Sequence, residues 1–365
     1  MRVINSNEQY KIYTNHVKIY NDLPSKIYTV AFNEMEGFSL LETNDFTITD
    51  TKIYGVHLAK VEKVLNGYAA FERNLGIILS GDKGIGKSLF ARLLCIQSVE
   101  RGLPVIIVDR FIPGINNFID SIDQEVVVLF DEFDKTFRDN NMQATMLSLF
   151  DGLSSNKKLF VVTCNNVFKL NDFLVNRPGR FHYHFRFEYP TFDEIEEYLK
   201  DKLAEKFWGE IPNVIKFSSK INLNYDCLRA ITYELSNGLS FKEAIRDLNI
   251  LNTEEQYYNV IFEFSDGGVI NWNYKEIDLF DTRDKIKWWI DEKNFNVEFL
   301  TKNLKYDNTQ RCYIVENKDV SIMLNGKPYA RALKDGDVSD TAEVNDLSVK
   351  ITIKRTGTEM QHYLV

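Results

Sequence analysis

The residues in this sequence with the clearest chemical purpose are Gly81, Gly86, Lys87 and Ser88, set in the string GDKGIGKS. They fit G-x-x-x-x-G-K-[ST] at every position. Glycines let a backbone curl until successive N–H groups point inward at phosphate oxygens, which makes Gly81, Asp82, Lys83, Gly84, Ile85 and Gly86 a candidate cradle. Lys87 is then placed to reach the β- and γ-phosphates, and the Ser88 hydroxyl to ligate Mg²⁺. A helix beginning at about Lys87, with Leu89 in its first turn, adds a positive N-terminal end. ATP and Mg²⁺ are the cofactors this string implies. A second constellation, VVVLFDEFD, puts Asp131 and Glu132 at the end of the most apolar run in the chain. A carboxylate at a strand's C-terminal edge can sit beside such a loop and hold Mg²⁺ through water, the role expected of Asp131. Glu132 is then placed to orient and deprotonate an attacking water. Asp134 is a candidate electrostatic supporter.

These groups need a scaffold that brings distant segments to one edge. LGIILS (75–80), VIIVD (105–109), VVVLFD (126–131) and LFVVTC (159–164) are continuous apolar runs of strand length, as expected of strands buried on both faces of a parallel sheet. Helical spacing of Leu58, Val61, Val64, Leu65 and Tyr68 predicts a helix over 57–73, and residues 89–97 predict another. Strands alternating with helices predict an α/β fold, an αβα parallel sheet over residues 51–190. Before it, KIYTVAF and GFSLLE predict short strands in an N-terminal β-rich region, residues 1–50. After it, Thr191 with Glu194 and Ser240 with Glu243 read as capping boxes, and a further helix starts near Tyr225. Residues 191–254 are thus expected to form a small helical domain. Residues 255–365 are expected to form an α+β, β-rich domain, with turns at Asp266-Gly267-Gly268 and Asn325-Gly326 and a helix over 282–293.

FVVTCNN ends an apolar strand in polar residues, and VNRPGRF follows it. With the two nucleotide motifs, these segments resemble the AAA+ ATPases, in particular the core AAA clade with its R-P-G-R-F segment. The chain is also similar in general look to AAA ATPases of bacteria and their phages. The resemblance spans about residues 54–190, and the helical stretch to 250 has the place of the AAA+ lid. It implies that Asn165 is the sensor 1 asparagine that contacts the γ-phosphate or the attacking water; Asn166 restores the usual spacing to R-P-G-R, so both positions stand as candidates. It implies that Arg177 and Arg180 supply the finger to a neighbouring subunit's ATP, a task that suits a planar, always charged, bidentate guanidinium. A ring, usually a hexamer in this family, is then expected. Tyr54 and Gly55 match the segment whose backbone reads the adenine edge, and Arg229 has the place of a sensor 2 arginine. Phe111-Ile112-Pro113-Gly114 lies where ring translocases carry an aromatic pore loop, and is equally readable as a buried loop anchor. His182 and His184, either side of Tyr183, read as sheet-surface residues, since no further metal ligands accompany them.

Composition narrows the work such a site performs. The chain has 365 residues, 44% hydrophobic, with a formal net charge of -9. General disorder is excluded, and the charge balance does not suggest a coat for nucleic acid or an anionic membrane, although a local basic stripe could bind either. The four cysteines, Cys95, Cys164, Cys227 and Cys312, are far apart, as in reduced cytosolic proteins. The sequence shows no signal peptide and no apolar run of membrane-spanning length, so a cytoplasmic location is expected. The resulting expectation is a ring-forming ATPase that remodels a protein partner, with an adaptor or protein substrate as its partner. Two alternatives stand beside it. One is a nucleic-acid motor or loader, for which Lys83, Arg110 and Lys135 are the available cations, without basic–aromatic interleaving. The other is an ATP-dependent assembly switch with slow hydrolysis.

Overall fold

The computed structural model describes residues 2–6, 9–13, 17–44, 46, 57–151, 157–175, 179–250, 256–280, 285–324, 327–328 and 347–356. The chain divides into two compact units, Met1–Glu188 and Tyr189–Val365.

In the first unit, β1 (Arg2–Ser6) and β2 (Gln9–Tyr13) form an antiparallel hairpin of their own. A second hairpin, β3 (Ile27–Asn33) and β4 (Gly37–Glu42), is followed by α1 (His57–Ala70), β5 (Leu75–Ser80), α2 (Lys87–Glu100), β6 (Val105–Val108) and α3 (Ile115–Asp120). Then come β7 (Val126–Phe130), α4 (Phe133–Thr136), α5 (Asn140–Phe150), β8 (Lys158–Cys164) and β9 (Tyr183–Arg186). One seven-stranded sheet runs β4-β3-β6-β7-β8-β5-β9, parallel throughout except for the β3–β4 pair. Two of the short strands predicted in residues 1–50, at KIYTVAF and GFSLLE, therefore extend the parallel sheet at its edge.

Every residue of β5, β7 and β8 is buried, which explains why these strands read as unbroken apolar runs. Alternate side chains feed two cores. Val126, Val128 and Phe130 of β7 pack with Ile115, Met146, Leu149 and Phe150 on one face. Val127 and Leu129 pack with Val61, Leu65, Phe90 and Leu94 on the other. This three-layer arrangement is the αβα sandwich expected from the sequence.

The second unit opens with four helices, α6 (Phe192–Lys202), α7 (Ile211–Ser218), α8 (Tyr225–Ser236) and α9 (Phe241–Asp247). Both predicted capping boxes are formed, at Thr191/Glu194 and Ser240/Glu243. Among the described residues the strands that follow are β10 (Tyr257–Phe264), β11 (Val269–Glu276), β12 (Lys285–Ile290), β13 (Phe295–Leu300), β14 (Lys305–Asp307), β15 (Cys312–Val315), β16 (Val320–Leu324), β17 (Lys327–Pro328) and β18 (Val349–Arg355). They make a five-stranded sheet, β11-β10-β18-β15-β14, and a four-stranded one, β12-β13-β16-β17, around a shared core. The helix predicted over 282–293 is not formed; β12 occupies its centre. In KIKWWI only Ile286, Trp288 and Ile290 are buried, a strict period of two that a helix cannot present to one face. The Asp266-Gly267-Gly268 turn joins β10 to β11, with Gly267 at φ 86°. Asn325-Gly326 lies outside the described residues.

A small set of polar contacts ties the helices of this unit to its strands. Arg355 donates to the Ser218 carbonyl, to Asn222 Oδ1 at 2.7 Å and to Gln256 Oε1. Lys220 Nζ donates to the Leu279 carbonyl at 2.8 Å and lies over the Phe280 and Tyr313 rings.

Candidate nucleotide site

β5 delivers the chain to the glycine-rich turn at the C-terminal edge of the sheet, and α2 leaves from it. Gly81 has φ 138°, Gly84 φ 75° and Gly86 φ 103°, all backbone angles that favour glycine. Gly81 is constrained twice: a Cβ there would lie 2.3 Å from the Phe187 carbonyl oxygen and 2.5 Å from Ile85 Cδ1. Ile85 is buried and anchors the turn, Leu89 packs into the core beneath it, and Asp82, Lys83 and Ser88 are exposed at its rim. Lys87, only 7% exposed, donates through Nζ to the carbonyls of Gly81 and Asp82 and to Asn165 Oδ1 at 3.1 Å. Burial lowers its pKa, against the raising effect of nearby acids.

Asp131 and Glu132 follow β7 directly. The residues that flank them, Phe130 and Phe133, are fully buried in an aromatic cluster with Phe137, Phe150 and Phe160. Truncating one such ring to alanine costs about 3–5 kcal/mol, so the acids stand on a stiff base. Glu132 adopts φ 47°, ψ 50°, a left-handed conformation uncommon outside glycine and asparagine. Its carboxylate pairs with Lys135, which is the leading cause of its lowered pKa, and a hydrogen bond with Asn165 adds to the effect. Asp131 Oδ1 accepts from the Thr163 hydroxyl at 2.7 Å, and that hydroxyl accepts from the Glu132 N–H at 2.8 Å. Asp134 is buried and accepts through Oδ2 from the N–H groups of Asn165 and Asn166, at 3.2 and 3.3 Å.

The two candidate asparagines are thus differently employed. Asn165 accepts from Lys87 Nζ through Oδ1, whereas the Asn166 side chain caps a 3₁₀ turn by accepting from the Phe168 N–H at 2.9 Å. Arg180 is 7% exposed and bound inside its own subunit. Its guanidinium holds both oxygens of Asp151 and the Phe173 carbonyl at 2.6 Å. Arg177, Tyr54 and Gly55 lie outside the described residues. Arg229 belongs to the second unit, exposed on α8, where Asp226 is 3.5 Å away. Phe111 is half-buried, edge-on to Phe137 at 5.6 Å between centroids, as a loop anchor would be. His184 is half-buried with Nε2 2.6 Å from Ser80 Oγ, and burial pushes its pKa down to about 4; His182 is exposed and meets Phe71 edge-on.

Thr163 and Asp151 stand in the site although no sequence motif singles them out. A hydroxyl near the polar end of the otherwise apolar LFVVTC was the available signal for the first; nothing local marks the second.

A loop of positive-φ glycines at a helix N-terminus, a lysine beneath it and two carboxylates just past the end of β7, with β8 between that strand and β5, make a site for a nucleoside triphosphate. The model of one protein family, the ATPase family associated with various cellular activities (AAA), matches residues 77–189. Residues 77–189 form an AAA domain. The match begins within β5 and ends just past β9, so it takes in the phosphate loop, both carboxylates and the R-P-G-R segment. ATP binding is accordingly the property of this AAA domain. No curated protein matches the chain. Among the described residues, no helix is long and apolar enough to cross a membrane.

Proposed function

We propose that this chain hydrolyses ATP with Mg²⁺ in a cytoplasmic ring of like subunits, six by the habit of the family, and uses the cycle to remodel a protein partner. The observation that carries the hydrolytic half is the hydrogen bond from Lys87 Nζ to Asn165 Oδ1 at 3.1 Å, which joins the phosphate lysine to a neutral amide 78 positions along the chain, with Asn165 also helping to lower the Glu132 pKa. In this reading the loop amides of residues 81–86 and Lys87 bind the phosphates, and Asn165 contacts the γ-phosphate or the attacking water. Glu132 takes the water's proton. The open donors near the loop suit a hard divalent cation: the Ser88 hydroxyl is exposed, and Asp131 has one oxygen engaged by Thr163 and a second for the metal. Ser88 and Asp131 would hold Mg²⁺, whose charge neutralises the β- and γ-phosphate oxygens when bound.

Arg177 is assigned as the finger that reaches a neighbour's ATP. Arg180 is tied to Asp151 and Phe173 within its own subunit and is assigned a structural part beside it. Tyr54 and Gly55 are assigned to the adenine and Arg229 to the lid-side phosphate contact. In this reading 51–190 is the nucleotide domain, completed at its sheet edge by β3 and β4, 191–254 is the lid, and 255–365 with the rest of 1–50 engages the partner. The acidic balance of the chain favours a protein partner over nucleic acid.

The test is Glu132→Gln. This variant is expected to bind ATP with about wild-type affinity and to hydrolyse it at least about a hundredfold more slowly, the scale of a lost general base. Incubated with ATP, it should also retain a protein partner in pull-downs. Wild-type turnover removes Glu132 from its role. Turnover stimulated by DNA and lost with salt would replace the protein partner with nucleic acid.

A further inference from the structure

The two carboxylates assigned above are neighbours in sequence, yet they must hold different geometries, one toward a metal and one toward a water. Asp131 and Glu132 lie past the last ladder pair between β7 and β8, Phe130 with Val162. The next residue of β8 is Thr163, 2% exposed and therefore shielded from water. Its one oxygen is used in both directions: it donates to Asp131 Oδ1 at 2.7 Å and accepts from the Glu132 N–H at 2.8 Å. The first bond fixes the Asp131 carboxylate and leaves its other oxygen for outward use. The second holds the backbone of Glu132 in the left-handed region, φ 47° and ψ 50°, where an L-residue stays only if its surroundings over-determine it. A β-branched side chain suits this task, because χ1 is stiff and the hydroxyl cannot swing away freely.

We infer that Thr163 is the positioning residue of the ATPase site, one buried hydroxyl that sets the metal-side and water-side carboxylates in a single register. The inference rests on the roles given to Asp131 and Glu132. It predicts that removing the oxygen while keeping the shape unlinks both acids at once. Serine keeps the oxygen and valine keeps the volume, so the pair separates positioning from packing.

The experiment uses the full chain as wild type, Thr163→Val, Thr163→Ser and Glu132→Gln. Three quantities are read: kcat for ATP hydrolysis, the ratio of ATP affinities with Mg²⁺ and with EDTA, and hydrogen exchange of the Glu132 amide without nucleotide. Thr163→Val is expected to lower kcat about ten- to a hundredfold, the scale of a sub-ångström to 1 Å misplacement. It should also shrink the Mg²⁺-dependent part of ATP affinity, and speed Glu132 amide exchange about tenfold or more, as expected when that amide loses a buried partner. Thr163→Ser should restore all three to within a few-fold. Wild-type kcat and unchanged amide protection in Thr163→Val, beside an inactive Glu132→Gln, would overturn the inference. An active Glu132→Gln instead sinks the assignment of the base, while the exchange and Mg²⁺ readings still judge Thr163. Should the valine chain not fold, Thr163→Ala carries the same expectations; if neither folds, Thr163 is a packing residue and the inference fails.

Discussion

Two lysines, one in each unit, are put to different uses. Lys87 and Lys220 both have their pKa lowered by burial, and both donate to backbone carbonyls. Lys87 folds back on Gly81 and Asp82, six and five positions upstream, and on one side-chain amide. Lys220 reaches 59 positions along the chain to Leu279 and rests on two aromatic rings. The first is a local clasp, holding a charge in the turn that must receive phosphate. The second is a long-range tie, with Arg355 beside it doing the same between α7 and β18. A lysine with a depressed pKa is therefore not by itself the mark of a ligand site; what distinguishes Lys87 is that two of its partners are carbonyls of the glycine-rich turn itself.

The comparison is broken most directly at Lys87. Lys87→Ala is expected to weaken ATP binding at least about a hundredfold, roughly 2.7 kcal/mol, with little change in melting temperature. Calorimetric titration and a thermal melt check both halves, and a large loss of stability with ATP affinity intact would reverse the contrast. Arg355→Ala should show the opposite pattern. Loss of charged hydrogen bonds to Ser218, Asn222 and Gln256 should cost the second unit about 2–3 kcal/mol in urea unfolding, while ATP affinity stays within twofold. The smallest effect concerns His184, whose neutral ring is held by burial beside Ser80. Its folded pKa of about 4 lies below the ordinary value of 6.5, so the unfolded chain binds the extra proton between those limits. The first unit should then lose stability as pH falls from 6.5 toward 4, and His184→Gln should flatten that limb by a few degrees of melting temperature. An unchanged slope would mean that the ring is solvated.

The legibility of the sequence followed the range of the interactions. GDKGIGKS and VVVLFDE could be read because a phosphate loop is made by consecutive residues and a strand buried on both faces is a continuous apolar run. The capping boxes of α6 and α9 were readable for the same reason, since each closes within four residues. KIKWWI misled because six residues fit two periodicities, and only its pairing with β13 selects one. That β3 and β4 belong to the nucleotide sheet depends on the register of Ile27 with Val105, which no local pattern encodes. Arg180 was legible as an arginine in a family segment, but its capture by Asp151, 29 positions earlier, was not. Thr163 was hidden likewise: its partners stand 31 and 32 positions away.

The close approach of Phe187 to the first glycine of the loop carries a mechanical consequence. Phe187 donates its N–H to the Ser80 carbonyl at 2.8 Å, and its own carbonyl occupies the space where a Gly81 Cβ would be. Glu188 is the last residue of the first unit. A tension applied along the chain from Tyr189 onward therefore reaches the first unit through a peptide that abuts the phosphate loop. The load enters beside the first glycine of the loop, at the residue that also bonds to the end of β5.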